Sequence, residues 1–339
     1  MEMMSTPFVT VVMPVYNAAS SLGKAIKSLQ NQTYEDWELI CVNDGSTDTS
    51  LEMLNCFASI DRRIKVLSQE NGGVAAARKT AYLALESPYA INLDADDEFS
   101  PDLLEKCVTK AKETSADIIV PNCICETSRT TSFDWNKAYG YTEETVMTGM
   151  EAFSRTFIPA TMHGYLMWRS ELLKKHACGE DPVLLKTFSE DEYYRRVLFL
   201  NSRDVVFCGG YYIYKNNSES ITKKFNPKQI GYLTTARQMV DLIDEYDIPV
   251  ETQKIIKENY LRTAISLQIK YYAFKIRMNS DNRNKVRKAV RNAYDDAVKY
   301  KKDIRFADKG HSWVYRLVSL NGYFLFCLSS YLMYLKKYA

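Results

Sequence analysis

The chain has 339 residues, 46% of them apolar and 25% charged, with a formal net charge of +2. That length allows about two domains with a sizeable core, and the composition is that of an ordinary globular protein. Three histidines and eight scattered cysteines without a CxxC pair argue against a zinc site and suit a reducing cytoplasm.

Phe8–Met13 is a β-branched run closed by Pro14, which reads as a first buried strand, and residues 21–32 read as a helix. Trp37–Asn43 is a second strand running into Asp44-Gly45-Ser46-Thr47-Asp48, a turn rich in helix-capping residues. Residues 63–68 make a third strand, and Asn71-Gly72-Gly73 opens an Ala-rich helix from Val74 to about residue 86. Residues 89–93 are a fourth short strand, bounded by Ser87-Pro88 and Ser100-Pro101. A helix from Pro101 and a fifth strand over 117–120 follow. Strands alternating with helices over this length predict an α/β fold with a mostly parallel, doubly wound sheet.

The fourth strand ends abruptly in Asp94, Asp96 and Asp97. In an open α/β sheet the carboxyl edge is where ligands bind. Three crowded acids repel one another, so the arrangement is costly unless a cation offsets the charge. Hard carboxylate oxygens suit Mg²⁺ or Mn²⁺, ions that commonly bridge to a substrate diphosphate. A helix cap at Ser100 explains Ser100 and Pro101 but leaves Asp94 and Asp96 unexplained.

The ordered motifs PVYN (from Pro14), VNDGSTD (Val42), ENGGVAAAR (Glu70), LDADD (Leu93) and SED (Ser189) resemble the family 2 glycosyltransferases, over residues 7 to about 222. The resemblance implies a GT-A fold and inverting transfer. It implies that Pro14, Tyr16 and Asn17 wall a nucleotide pocket, and that Asp44 accepts the N3–H of uracil. A carboxylate cannot pair that way with cytosine, whose N3 carries no proton, so a uracil- or thymine-type base is favoured and a UDP-sugar is the expected donor. Asn71, Gly72 and Gly73 would let the backbone approach the nucleotide, and Arg78 would brace the acidic loop or the diphosphate. Asp94 would touch the ribose, Asp96 would bind the metal, and Asp97 would assist it.

Asp191 matches the position of the family's catalytic base, with Glu190 supporting it. An inverting transfer needs one carboxylate to take the acceptor's proton. Ser189-x-x-Glu192 also reads as a capping box, and a capped helix would hold Asp191 rigidly. His163 and Tyr165 stand near where the family often has Trp and Lys, which makes His163 a substrate-contact candidate against the alternative of a buried structural histidine. Residues 205–207 and 211–214 read as two strands, after which Lys215, Ser220 and Thr222 are candidate diphosphate contacts.

Beyond residue 225 the pattern becomes helical, over about 227–244, 249–278, 282–302 and 312–337. Residues 270–339 hold 16 Lys/Arg against 5 Asp/Glu, a net of +11, and residues 1–269 hold 28 against 37, a net of −9. An acidic front and a basic rear fit a catalytic domain (1–225) joined to a helical domain (226–339) that meets an anionic surface. The last helix, with Trp313, Leu317, Phe324 and Leu328 at helical spacing, suits interfacial contact better than a span. The first 14 residues carry no signal-peptide pattern, so a cytoplasmic, peripheral-membrane location is expected.

The resulting expectation is a metal-dependent transferase moving a sugar from a nucleotide-sugar to a hydroxyl of a glycan or lipid-linked acceptor, in bacterial polysaccharide assembly, with no nucleic-acid partner. Two alternatives stand beside it: a non-catalytic nucleotide-sugar-binding scaffold subunit, and a nucleotidyltransferase of related fold. The latter is disfavoured because the loop after the first strand is neither Gly-rich nor basic.

Overall fold

The apolar runs of the first half offer no polar face to water, so they can be satisfied only as strands covered on both sides. The computed structural model describes residues 6–126, 131–157, 160–179, 189–215, 226–304 and 320–338. By its internal contacts the chain divides into two compact units, Met1–Lys186 with Tyr194–Ser218, and Thr187–Tyr193 with Glu219–Ala339.

In the first unit the elements run β1 (Val9–Val15), α1 (Leu22–Gln30), β2 (Trp37–Asp44), α2 (Ser50–Ile60), β3 (Ile64–Gln69), α3 (Val74–Leu83) and β4 (Tyr89–Asn92). The next are β5 (Glu98–Phe99), α4 (Leu103–Thr114), β6 (Ile118–Glu126), β7 (Ser132–Asp134), α5 (Trp135–Tyr139), β8 (Val146–Thr148) and α6 (Gly149–Ser154). They are followed by β9 (Met167–Arg169), α7 (Ser170–His176), α8 (Glu190–Leu200, whose first residues cluster with the second unit) and β10 (Asp204–Tyr214). All ten strands join one sheet in the order β3-β2-β1-β4-β9-β6-β10-β5, with β7 on β6 and β8 on β10. Strands β3, β2, β1 and β4 are mutually parallel, so their carboxyl ends share one edge. Helix α1 buries Leu22, Ala25, Ile26 and Leu29, a single helical stripe, in the same core as Val9, Val11 and Met13.

The two strands expected over 205–207 and 211–214 are one strand, β10, interrupted by a register shift between Phe207 and Tyr211. The cause lies on its neighbour. Val120 pairs with Phe207 and Asn122 with Tyr211, which leaves Pro121, a residue with no N–H to give, opposite the irregularity. Gly210 takes the slack in a left-handed conformation (φ +82°), where a Cβ would stand 2.8 Å from Leu103 Cα. The fifth strand, expected to end at Val120, therefore continues through Pro121 to Glu126.

In the second unit α10 (Val250–Phe274) packs against α9 (Gly231–Glu245), α11 (Ser280–Ala297) and α12 (Tyr323–Tyr338). Its core gathers Leu233, Met239, Ile256, Leu261, Ile265, Val286, Val290 and Phe326. Asn279 caps α11 by accepting from the Asn282 N–H. The basic residues Arg283, Lys285, Arg287, Lys288 and Arg291 form the exposed face of that helix. Trp313 and Leu317 of the expected last helix, and the candidates Ser220 and Thr222, lie outside the described residues. Among the described residues no helix is long and apolar enough to cross a membrane.

Candidate active site

Two loops leave the carboxyl ends of β1 and β2 and are tied together by Asn17. Its side-chain oxygen accepts from the backbone N–H of Thr47 (2.8 Å) and Asp48 (3.3 Å), and its own N–H donates to Ser46 Oγ (3.1 Å). Asn17 adopts φ +49°, a left-handed conformation that asparagine tolerates better than most residues. Asn17 is thus engaged in joining the loops, while Tyr16 beside it is 53% exposed at the lip and Pro14 is half-buried within β1 itself.

Asp44, at the end of β2, is only 3% exposed. Its Oδ1 accepts from Gln69 Nε2 and the Gly72 N–H, and its Oδ2 accepts from the Gly73 N–H, all at 2.8 Å. The carboxylate therefore clasps the Asn71–Gly73 loop to β2. Gly45 follows with φ +69°, and a Cβ there would lie 2.9 Å from the Asn71 nitrogen, so only glycine lets the two loops approach this closely. A carboxylate oxygen has two acceptor positions, and Oδ2 uses one of them here. Asn71, Gly72 and Gly73 are exposed beside it.

On the other side of β1, the chain after β4 makes a tight turn in which the Asp97 N–H donates to the Asp94 carbonyl (3.0 Å). Arg78, reaching from α3, pairs with Asp94 Oδ1 at 2.8 Å. Tyr212 Oη accepts from the Asp94 N–H (3.2 Å) and donates to Asp97 Oδ2 (2.8 Å), and the Lys215 N–H donates to Asp97 Oδ1 (2.8 Å). The Lys215 ammonium meets Glu126 at 2.9 Å and Glu98 at 3.4 Å. Asp96 is half-buried in the same turn.

Asp97 is 1% exposed, and its carboxyl is pushed up to about 8. Burial contributes most, the charge of Asp94 next and that of Asp96 less, against the opposing hydrogen bonds from Lys215 and Tyr212. Among the described residues no group of three or more His, Cys, Asp or Glu is arranged to hold a metal ion alone. The donor set nonetheless fits Mg²⁺ or Mn²⁺, which are usually held by one or two carboxylates with the remaining ligands from phosphates and water. The negative charges of Asp94 and Asp96 add to burial in raising the Asp97 carboxyl, and a bound cation would oppose them.

His163 is a different case. It is 4% exposed, its Nε2 donates to the Pro121 carbonyl (3.0 Å), and its Nδ1 accepts from the Tyr165 N–H (3.3 Å). Burial, and less strongly Arg195, bring it down to about 3, so it is neutral in the fold, with both ring nitrogens engaged within the protein.

Asp191 is exposed in the first turn of α8 and clusters with the second unit, as does the backbone of Glu190. Ser189 before them has φ +82°, and its hydroxyl bonds Thr235 Oγ1 (3.1 Å). A non-glycine residue held left-handed next to an exposed acid is the kind of strain that accompanies functional segments.

Residues 10–176 match the family described as glycosyl transferase family 2. That region is a glycosyl transferase family 2 domain. The chain is similar to glycosyltransferase GlyA of Streptococcus pneumoniae, 27% identical over 263 residues that cover 76% of this chain and 38% of GlyA. It thus spans about two fifths of the length of such curated relatives. Among solved structures, S. aureus TarS 1–349 in complex with UDP superposes with a TM-score of 0.68 at 15% identity, over 97% of this chain and 90% of that one. Mannosyltransferase PcManGT of Pyrobaculum calidifontis, with GDP-Man and Mn²⁺, superposes with a TM-score of 0.56 at 14% identity, over 99% and 89%. These likenesses show the GT-A fold.

Gln69 and Tyr212, beside the candidate site, were not singled out from sequence, and Tyr165 was named only for its place in the family stretch. Gln69 bridges Asp44 and Thr80, Tyr212 joins Asp94 to Asp97, and Tyr165 stacks on Tyr212 with ring centroids 4.0 Å apart. The Tyr165 hydroxyl is pushed up by burial and by the charges of Asp94 and Asp97. The one sequence signal was the density of tyrosines over 211–214, which alternation assigns to two faces without saying which face meets the acidic turn.

Proposed function

We propose that this protein transfers a sugar from a UDP-sugar to a hydroxyl of a glycan or lipid-linked acceptor at the inner face of the cytoplasmic membrane, with inversion, in the assembly of a cell-surface polysaccharide. The observation that supports it most is that the Asp44 clasp and the Asp94–Asp97 turn stand on one edge of the neighbouring parallel strands β2, β1 and β4. Asp44, the Asn71–Gly73 loop and Tyr16 bind and orient the nucleotide. Asp96, with Asp97 assisting, would hold Mn²⁺ or Mg²⁺, which when bound would supply positive charge against the diphosphate, and Asp94 would meet the ribose. Arg78 holds the Asp94 carboxylate in place through their ion pair. Asp191 takes the proton of the acceptor hydroxyl, whose oxygen bonds to the anomeric carbon on the face opposite the diphosphate. The bond from that carbon to the diphosphate oxygen breaks, and its electron pair leaves with UDP. TarS was solved with UDP and PcManGT with GDP-Man and Mn²⁺, which makes the base identity the first point to test.

Calorimetric titration of UDP, dTDP, GDP and CDP, each with Mn²⁺ and with chelator, decides the donor. Metal-dependent UDP binding that weakens in Asp96→Ala is expected, and absence of UDP binding under both conditions overturns the UDP assignment. Asp191→Asn should keep UDP binding and lose about 10²- to 10⁴-fold in transfer, the usual span of a general base. An unchanged rate in that variant removes Asp191 from the role.

A further inference from the structure

Helix α12 is built inside out. Its exposed residues from Phe324 to Leu335 are Phe324 (76%), Leu328 (42%), Tyr331 (40%), Leu332 (55%) and Leu335 (37%), whereas Ser329 and Ser330 are buried. At 100° per residue those five side chains fall within one continuous face. Ser329 Oγ turns back to the Phe326 carbonyl (3.0 Å), and among the described residues Ser330 Oγ has no hydrogen-bond partner. Burying an unsatisfied hydroxyl while leaving leucine in water is unfavourable on both counts. The orientation is set instead by aromatic contacts within the unit. Tyr272 of α10 donates to the Cys327 carbonyl (3.2 Å) and packs on Tyr331 (5.4 Å), and Phe326 packs on Tyr294 (4.7 Å).

The surroundings of this face are cationic. Lys336 and Lys337 end the helix and are exposed. Lys275 lies over the Tyr272 ring, 5.6 Å from its centroid, and the same ring touches Tyr331 and Tyr334 of α12. That places the segment Lys275-Ile276-Arg277, with Ile276 90% exposed, along the border of the apolar face.

We propose that this face docks on an anionic phospholipid bilayer, with Phe324, Leu328, Leu332 and Leu335 entering the headgroup–acyl boundary and Lys275, Arg277, Lys336 and Lys337 meeting lipid phosphates. Charge selects this occupant over a second copy of the chain. Residues 270–339 hold 16 Lys/Arg against 5 Asp/Glu, so self-association through this face brings like charge against like charge, and anionic lipid reverses the sign. Since no described helix can cross a membrane, the contact is interfacial, the mode that an apolar stripe flanked by lysines supports. The inference is independent of the transfer reaction.

The test is cosedimentation of the full chain with phosphatidylcholine vesicles, with and without phosphatidylglycerol, for wild type, Leu328→Ser/Leu332→Ser and Lys336→Glu/Lys337→Glu. Partitioning onto the anionic vesicles is expected, about tenfold or more weaker in the leucine variant. The lysine variant should lose the preference for anionic over neutral vesicles. The thermal unfolding midpoint, measured in parallel, should be the same within a few degrees in all three proteins and so report that the fold is intact. Lack of wild-type binding to anionic vesicles, or equal binding by the leucine variant, overturns the proposal. So does a wild-type dimer in light scattering that becomes a monomer in the leucine variant, which assigns the face to a second copy.

Discussion

Two buried aspartates sit at opposite ends of the same sheet and titrate in opposite directions. Asp117 precedes β6 at the amino edge and is 4% exposed, and Asp97 follows β4 at the carboxyl edge and is 1% exposed. Burial alone raises both. At Asp117 that effect is outweighed by Arg203, which donates from its backbone N–H (2.9 Å), Nε (3.1 Å) and Nη2 (3.0 Å), and by Arg169 Nε (3.0 Å). The net result is a carboxyl held below its ordinary value. Asp97 has a phenol and one backbone N–H for partners and two carboxylates for neighbours, and it rises to about 8. One end of the sheet is a completed ion-pair network that locks strand ends together. The other leaves Asp97 beside two carboxylates with no guanidinium bonded to it among the described residues, a charge imbalance that supports the proposed cation site.

The largest effect that sharpens this contrast is expected from Asp97→Asn in metal-free protein. A carboxyl raised in the folded state contributes stability that is complete below the unfolded value near 3.8 and is lost as pH rises through about 8. Wild type in chelator should therefore lose up to roughly 1.4 kcal/mol per pH unit across that window. The Asn variant, which mimics the protonated carboxyl toward Lys215 and Tyr212, should melt with a flatter pH dependence and exceed wild type at pH ~8. Equal slopes for the two proteins in urea melts would place the charge imbalance elsewhere.

At the opposite end, Arg169→Leu leaves the buried Asp117 with Arg203 as its single guanidinium partner among those seen here. A cost of about 2 kcal/mol is expected, less than for a fully orphaned buried charge, because Arg203 remains. Chemical denaturation at neutral pH checks it, and a change below about 0.5 kcal/mol would show that the pair is as weak as a surface ion pair.

The smallest effect concerns His163, which is neutral in the fold and depressed to about 3. Its contribution is complete above the unfolded value near 6.5 and is lost as pH falls toward 3. Between pH ~6.5 and ~5.5 this amounts to about 1 kcal/mol. His163→Gln retains a donor for the Pro121 carbonyl and should remove that slope in thermal melts, while leaving UDP binding unchanged.

The sequence by itself determined the first half of the sheet and the loops that close on its carboxyl edge. Val9–Val15, Trp37–Asp44 and Tyr89–Asn92 are apolar runs that cannot be stable in water, and each ends where Pro, Gly, Asp or Asn changes the local backbone preference. The acidic turn, the Asp44-Gly45 pair and the Asn71–Gly73 loop were legible for that reason, being local in the chain. Residues 122–149 were less so, because elements as short as β7 and β8 carry little pattern of their own and are held by pairing, β7 with the end of β6 and β8 with the distant β10. Only the tertiary structure decided that β9 enters antiparallel between β4 and β6, and that Pro121 forces the irregularity in β10. It also decided that Asn17 and Asp44 clasp loops, that His163 is buried, and that the leucines of α12 face outward while its serines face in. In each of those cases the deciding partner lies 25 or more residues away, as Gln69 does from Asp44, and no pattern of neighbouring residues encodes which side of an element such a partner will occupy.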